Sequence, residues 1–238
     1  MRSTEGLNAR LAGDNARADF VSLRGWERAK AQSLPDALQS VVSAGLVENL
    51  LEYVRDAVEF AERYLRNHGG RDPHGLSLHQ IAALNLYTKE NEYRPEQSFY
   101  AVLNKVLNSR QRREIVPFFG YLNLFIEGAR LLPNACHGGL SLWRAFPNLD
   151  PEWRSLYTIG QELFWWAFTS TTKNDDVLKN PQFFGQRGER TLFSLHCVSG
   201  IEITAYSDFP EDEILVRRPN NLKKPALEAA VALRLEDL

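Results

Sequence analysis

The sequence has little that would commit it to the commonest chemistries. Its 238 residues include only two cysteines, Cys136 and Cys197, far apart and with no CxxC or His/Cys cluster around them. Neither a zinc site nor a disulfide framework is therefore indicated, and two buried apolar thiols are the simpler reading, with a single bridge as the alternative. His68, His74, His79 and His196 show no ligand spacing and call for no metal. No apolar run approaches the roughly 20 residues that span a bilayer, and MRSTEGLNARLAGDNARADF at the start holds no apolar signal core. A soluble chain with no membrane contact is expected, cytoplasmic or delivered by a specialised secretion system that needs no such signal. The net charge of -2 leaves no excess of cations to neutralise a phosphate backbone, which argues against nucleic acid as a main partner. No GxGxxG joins a strand to a helix and no GxxxxGK[ST] occurs, so any nucleotide must be held by another architecture.

What is present divides by hydrophobic period. The polar residues 1–20 read as a poorly ordered terminus. Between Ser33 and His68, Leu46, Leu50, Tyr53, Val54, Ala57, Ala61 and Tyr64 recur at helical spacing and mark one buried face, stopped by Asn67-His68-Gly69-Gly70. Ser77 and Gln80 have the spacing of a capping box for a helix that turns Ile81, Leu84 and Tyr87 inward. A third helix after Pro95 presents Phe99, Val102, Leu103 and Val106, and a fourth over about 117–130 presents Phe119, Leu122 and Ile126. From Gly138 the period falls to two, in Leu140/Leu142/Arg144/Phe146, GQELFWWAFTST, TLFSLHCV, GIEITAY and EILV. Helices first and strands afterwards predict an α+β fold, a helical segment followed by one sheet or two packed sheets.

Three elements of the strand-rich half carry more chemistry than packing needs. Alternation puts Arg144 on the face of Leu140, Leu142 and Phe146, where a cation requires an anionic partner. An internal salt bridge would satisfy it, and so would a phosphate or pyrophosphate held in the guanidinium fork. Phe168-Thr169-Ser170-Thr171-Thr172 closes another strand, and Ser170 there either simply favours a strand or holds a catalytic group in its rotamer. Glu211-Asp212-Glu213 precedes the apolar Ile214-Leu215-Val216. In an extended segment Glu211 and Glu213 share a face about 6.5 Å apart. One could then steady positive charge developing at a sugar carbon while the other orients a cationic nucleophile; a solvated acidic loop is the plainer reading.

The order of these elements, Arg, then F-x-S-T-T, then E-x-E before a strand, resembles the Arg-Ser-Glu clade of mono-ADP-ribosyltransferases, which includes cholera-, C2- and C3-type toxins, bacterial effectors and vertebrate ecto-transferases. The likeness runs over roughly Gly75 to Asn221 and includes GLSLHQIAALNLYTKE, SFYAVLNKVLNS and GERTLFSLHCVSGIEITAYSDFPEDEILV. It implies a strand-rich core of two packed sheets, with 21–238 as one domain, 21–74 as its helical extension and 75–221 as the catalytic core. It implies NAD as substrate, with no metal, and a protein as acceptor. By the same resemblance Arg144 would grip the NAD phosphates and Ser170 would hold the glutamate and the nicotinamide ribose. Glu213 would accept the ribose 2'-hydroxyl and stabilise the oxocarbenium-like transition state, while Glu211 would engage the acceptor, with arginine favoured in the E-x-E subgroup. Ala145 and Thr171 join the NAD-binding set, with Phe183 or Phe184 against the nicotinamide ring.

Two positions depart from the pattern. Ala145 stands where the clade commonly has glycine, which matters only if that position needs positive φ, and Thr172 replaces the last serine of S-T-S. His137-Gly138 is similar to the opening of the diphtheria-type clade, but Arg144, S-T-T and E-x-E belong to the arginine clade. Competing readings are transfer to a non-arginine acceptor such as a threonine of ubiquitin, NAD hydrolysis, and a binding module without turnover.

Overall fold

The computed structural model describes residues 24–30, 33–91, 93–107, 109, 111–147, 163–165, 168–173, 190–208, 214–216 and 229–231. Ser33 opens α1 (Leu34–Ser43) by accepting a hydrogen bond from the Asp36 N–H at 3.2 Å, with Pro35 in the first turn, where its missing N–H costs nothing. Gly45, at φ 62, then turns the chain toward α2 (Leu50–Asn67). The face expected to be continuous is thus divided between two helices. Leu46 falls in the turn and is exposed, and Val47 is buried in its place. The stop after α2 is as the sequence predicts: Gly69 and Gly70 are left-handed and the Gly70 N–H donates to Leu65 O at 2.8 Å.

The capping box of α3 (Leu78–Thr88) is formed, Ser77 Oγ accepting from the Gln80 N–H at 3.3 Å and Gln80 Oε1 from the Ser77 N–H at 2.9 Å. Ile81, Leu84 and Tyr87 are buried as expected, and so is every other residue from Ile81 to Thr88. A helix enclosed all round is a central helix, and α3 is covered by α2, by α4 (Phe99–Leu107) and by α5 (Phe119–Leu131). In α5 the register differs: Leu122 is buried, Phe119 and Ile126 only half so, and Tyr121, Leu124 and Phe125 take the deep positions. Gly120 lets α5 cross α1, since a Cβ there would lie 2.8 Å from Ala37 O.

Among the described residues, seven strands follow. β1 (Leu140–Pro147) pairs antiparallel with β4 (Arg190–Cys197), β2 (Leu163–Trp165) with β7 (Ala229–Val231), and β3 (Thr169–Thr171) with β6 (Ile214–Val216), whose other edge takes β5 (Gly200–Glu202). One bridge, Trp143 with Thr172, joins β1 to the end of β3. The described strands therefore form three hydrogen-bonded sets. GIEITAY is strand only to Glu202, and Thr204–Tyr206 is a 3-10 turn. Ile201, Ile203 and Tyr206 enter the same apolar core as α1 to α5, with Phe168 packed against it, so the helices are the seat on which the strands rest. Cys136 and Cys197 are buried thiols with no disulfide between them; burial, helped by Cys136, pushes the Cys197 thiol up to about 12, which keeps it protonated and inert at neutral pH.

Candidate active site

Gly138 and Gly139, at φ 84 and 91, turn the chain into β1. At Gly139 a Cβ would meet the His196 ring at 2.6 Å, so His137-Gly138 belongs to a structural turn with the His137 side chain exposed. Along β1, Leu142 is buried, Trp143 half-buried and Arg144 buried, the alternation that the sequence predicts. A guanidinium at 9% exposure needs hydrogen bonds in place of the water it has lost. One Nη of Arg144 donates to the Ser170 carbonyl oxygen at 2.8 Å. The first two sequence elements are therefore joined directly, through the backbone of the second.

Within β3, Thr169 and Thr171 are buried and Ser170 is half-buried on the opposite face. Two bonds splice β3 to β1: the Trp143 N–H donates to Thr172 O at 2.8 Å and the Thr172 N–H to Trp143 O at 3.0 Å. On its other side β3 pairs with β6 in the register Ser170 to Leu215 and Thr171 to Ile214. Ile214 is the residue after Glu213 in the sequence. Glu211, Glu213, Phe183 and Phe184 themselves lie outside the described residues. Ala145 continues the strand opposite Leu192, and left-handed backbone among the described non-glycine residues is confined to Asn49, so alanine fits where the clade has glycine.

Groups absent from the sequence reading support this junction from the helices. The Tyr87 hydroxyl donates to the Phe168 carbonyl oxygen at 3.1 Å, and Asn104 Nδ2 donates to the Tyr87 oxygen at 3.1 Å. These bonds hold the residue from which β3 starts. Asn85, wholly buried in α3, donates from Nδ2 to Tyr206 O at 3.1 Å and to Asp208 Oδ1 at 2.7 Å. Lys89 Nζ bonds the other carboxylate oxygen of Asp208 at 2.7 Å, and Thr88 Oγ1 accepts from the Asp208 N–H at 3.1 Å. Asp72 ties the α2–α3 loop to the same region, accepting from the Tyr206 and Tyr64 hydroxyls at 2.8 and 3.2 Å and from the N–H groups of His74 and Leu76. Burial opposes the charge on Asp72, but these four donors outweigh it and hold the carboxyl below its usual range. Tyr206 is pushed up by burial and by its bond to Asp72. A polar Asn85 inside the apolar run ALNLYT was the available signal, since a buried amide has to find partners.

Among the described residues no helix is long and apolar enough to cross a membrane, and no group of three His, Cys, Asp or Glu could hold a metal ion. No protein-family model matches the sequence, and no curated protein matches it. Solved structures do. The eukaryotic mono-ADP-ribosyltransferase ART2.2 is 20% identical with a TM-score of 0.55, over 77% of this chain and 74% of its own. A mutant of ART2.2 in complex with NADH is 19% identical with a TM-score of 0.57, over 87% and 82%. The type III effector XopAI from Xanthomonas axonopodis pv. citri is 15% identical with a TM-score of 0.51, over 95% and 92%. The chain therefore has the mono-ADP-ribosyltransferase fold.

Proposed function

We propose that the protein is a mono-ADP-ribosyltransferase that cleaves NAD at the nicotinamide glycosidic bond and transfers ADP-ribose to a protein side chain, arginine being the favoured acceptor. The observation that carries this reading is the bond from Arg144 to Ser170 O within a strand junction that also includes β6, the strand Glu213 leads into. Arg144 and S-T-T are distant in sequence and meet at one junction, and the strand that follows E-x-E in the sequence pairs with β3 there, which supports the reading. ART2.2 has been crystallised as a mutant in complex with NAD, and it shares this fold. A role as a delivered effector, as XopAI is described, is part of the same proposal.

In this reading the Arg144 fork grips the pyrophosphate as a planar, always charged donor. Ser170 lines the nicotinamide ribose, with Thr171 supporting it from the buried face of β3, Ala145 contributing backbone groups and Phe183 or Phe184 facing the ring. The C1'–N bond breaks with its electron pair going to nicotinamide, and the carboxylate of Glu213 stabilises the positive charge that develops on the ribose. A guanidinium nitrogen of the acceptor then attacks C1', oriented by Glu211, which receives the proton it loses. The test is incubation with labelled NAD and a cell lysate, followed by mass spectrometry of the labelled residue. Label on arginine supports the reading, label on threonine or another side chain replaces the acceptor, and nicotinamide release without label makes the enzyme an NAD glycohydrolase. No release at all rejects it.

A further inference from the structure

The last turn of α3 reaches both ends of the candidate site. Tyr87 bonds the carbonyl of Phe168, where β3 begins, and its neighbours Asn85, Thr88 and Lys89 bond Asp208. Asp208 stands three positions before Glu211 in the sequence, and the chain is held again at Ile214, which pairs with both β3 and β5. Positions 209–213, which carry both glutamates, therefore lie between two held residues. Catalytic groups on a short segment inherit their placement from its ends, and groups borne on rigid elements are placed more tightly than those on free loops.

We propose that Asn85, Thr88 and Lys89 form a positioning clamp on Asp208 that sets the placement of the E-x-E segment, an inference that rests on the transferase reading above. Three independent contacts converge on one residue: the amide of Asn85 on Oδ1, the ammonium of Lys89 on Oδ2 and the hydroxyl of Thr88 on the main-chain N–H. A carboxylate that only solubilised a loop would need none of them. Asn85 is wholly buried and the Lys89 side chain retains 13% of its exposure, so the clamp is largely shielded from water while the Asp208 side chain it holds is 37% exposed. The Thr88 hydroxyl in turn donates to Asn85 O at 2.8 Å, which fixes its lone pair toward Asp208. In the transferase reading none of these residues is assigned to NAD, and they act through the segment they hold.

The experiment uses the full chain and measures kcat and KM for NAD by nicotinamide release, with the melting temperature of each variant. Lys89→Met and Asp208→Asn are each expected to lower kcat by about 10- to 100-fold, the size of effect that a misplacement of about 1 Å produces, with KM for NAD changed by less than about threefold. The double variant should be no slower than the worse single one, because both remove the same contact, and Lys89→Arg should restore most of kcat by keeping the ion pair. Asn85→Ala tests the same clamp but risks the fold, so the Lys89–Asp208 pair, less deeply buried than Asn85, carries the test. A kcat for Lys89→Met within twofold of wild type overturns the inference. So do single effects that multiply in the double variant, or a lowered melting temperature that Lys89→Arg repairs without repairing kcat. A wild-type chain that releases no nicotinamide overturns the transferase reading instead, together with the inference built on it.

Discussion

Between Leu34 and Leu132 the chain is held by interlocking side chains, whereas from Leu140 onward it is held mainly by main-chain ladders three to eight residues long. The helical region can be enclosed because its faces are apolar and its polar backbone is satisfied within each helix. Both regions keep polar groups inside, Asp72, Asn85 and Asn104 among the helices and Arg144, Thr169, Thr171, Thr172 and Ser199 among the strands. The difference lies in what supplies the remaining cohesion, an apolar core in the first and strand ladders in the second. The two regions are nonetheless spliced by a few contacts, Phe168 with Phe125 at 4.6 Å between ring centroids, Tyr87 with Phe168 at 5.7 Å, and Asn85 with Asp208.

The largest effect is expected where the two regions meet. Phe125 is buried and stacks obliquely on Phe168, so Phe125→Ala should remove about 3–5 kcal/mol of stability by leaving a cavity under β3. Denaturant unfolding measures this, and a loss below about 1 kcal/mol would show that the core under Phe168 collapses without consequence. Next come the two glutamates. Glu213→Gln should slow both nicotinamide release and protein labelling by about 10²- to 10³-fold at unchanged melting temperature, since a preorganised charge is lost at constant shape. Glu211→Gln should lose labelling of arginine while keeping much of the release. Equal loss of both activities in Glu211→Gln, or normal transfer by Glu213→Gln, would end this division of labour.

Smaller still is Arg144→Lys, which keeps the charge and loses the fork. NAD affinity measured by calorimetry should weaken about tenfold or more, in keeping with the loss of one or two charge-assisted hydrogen bonds, and unchanged affinity would return Arg144 to a purely structural role through its bond to Ser170 O. The smallest effect concerns Asp72, the link between the α2–α3 loop and Tyr206. Its carboxyl is held below the usual range in the folded chain, so it contributes stability that is fully present above the ordinary aspartate value of about 4 and is lost as the pH falls through the lowered one. Asp72→Asn should therefore be less stable than wild type at neutral pH, and the gap should close on acidification below about pH 4. A gap that stays constant across that window would mean that the carboxyl contributes by shape rather than by charge.

Much of the helical region was legible in the sequence because its signals are local. The capping box at Ser77 and Gln80 and the left-handed glycines after α2 depend on neighbours within a few residues, and both are present. Where the reading erred or stopped short, a non-local fact intervened. The turn at Gly45 moved Leu46 outward, and the burial of α3 on every side follows from three helices packing on it, which periodicity along one helix cannot reveal. Of the candidate site, Arg144 on the inner face of β1 was readable from period-two alternation, whereas Ser170, expected at the end of the strand that holds Phe164 and Trp165, lies in the middle of β3, which pairs with a different partner from β2.

By itself, then, the sequence determined the order of elements, the caps, the face on which Arg144 lies and the three motifs that resemble a known clade, because each is written in spacing along the chain. Only the tertiary structure decided that Arg144 bonds the backbone of Ser170, that β6 pairs with β3 in the register Thr171 to Ile214, and that Asn85 and Lys89 seize Asp208. The physical reason is separation. These partners stand 26 to 123 residues apart, and a hydrogen bond across such a distance in sequence exists only after the apolar core has brought the two segments within reach.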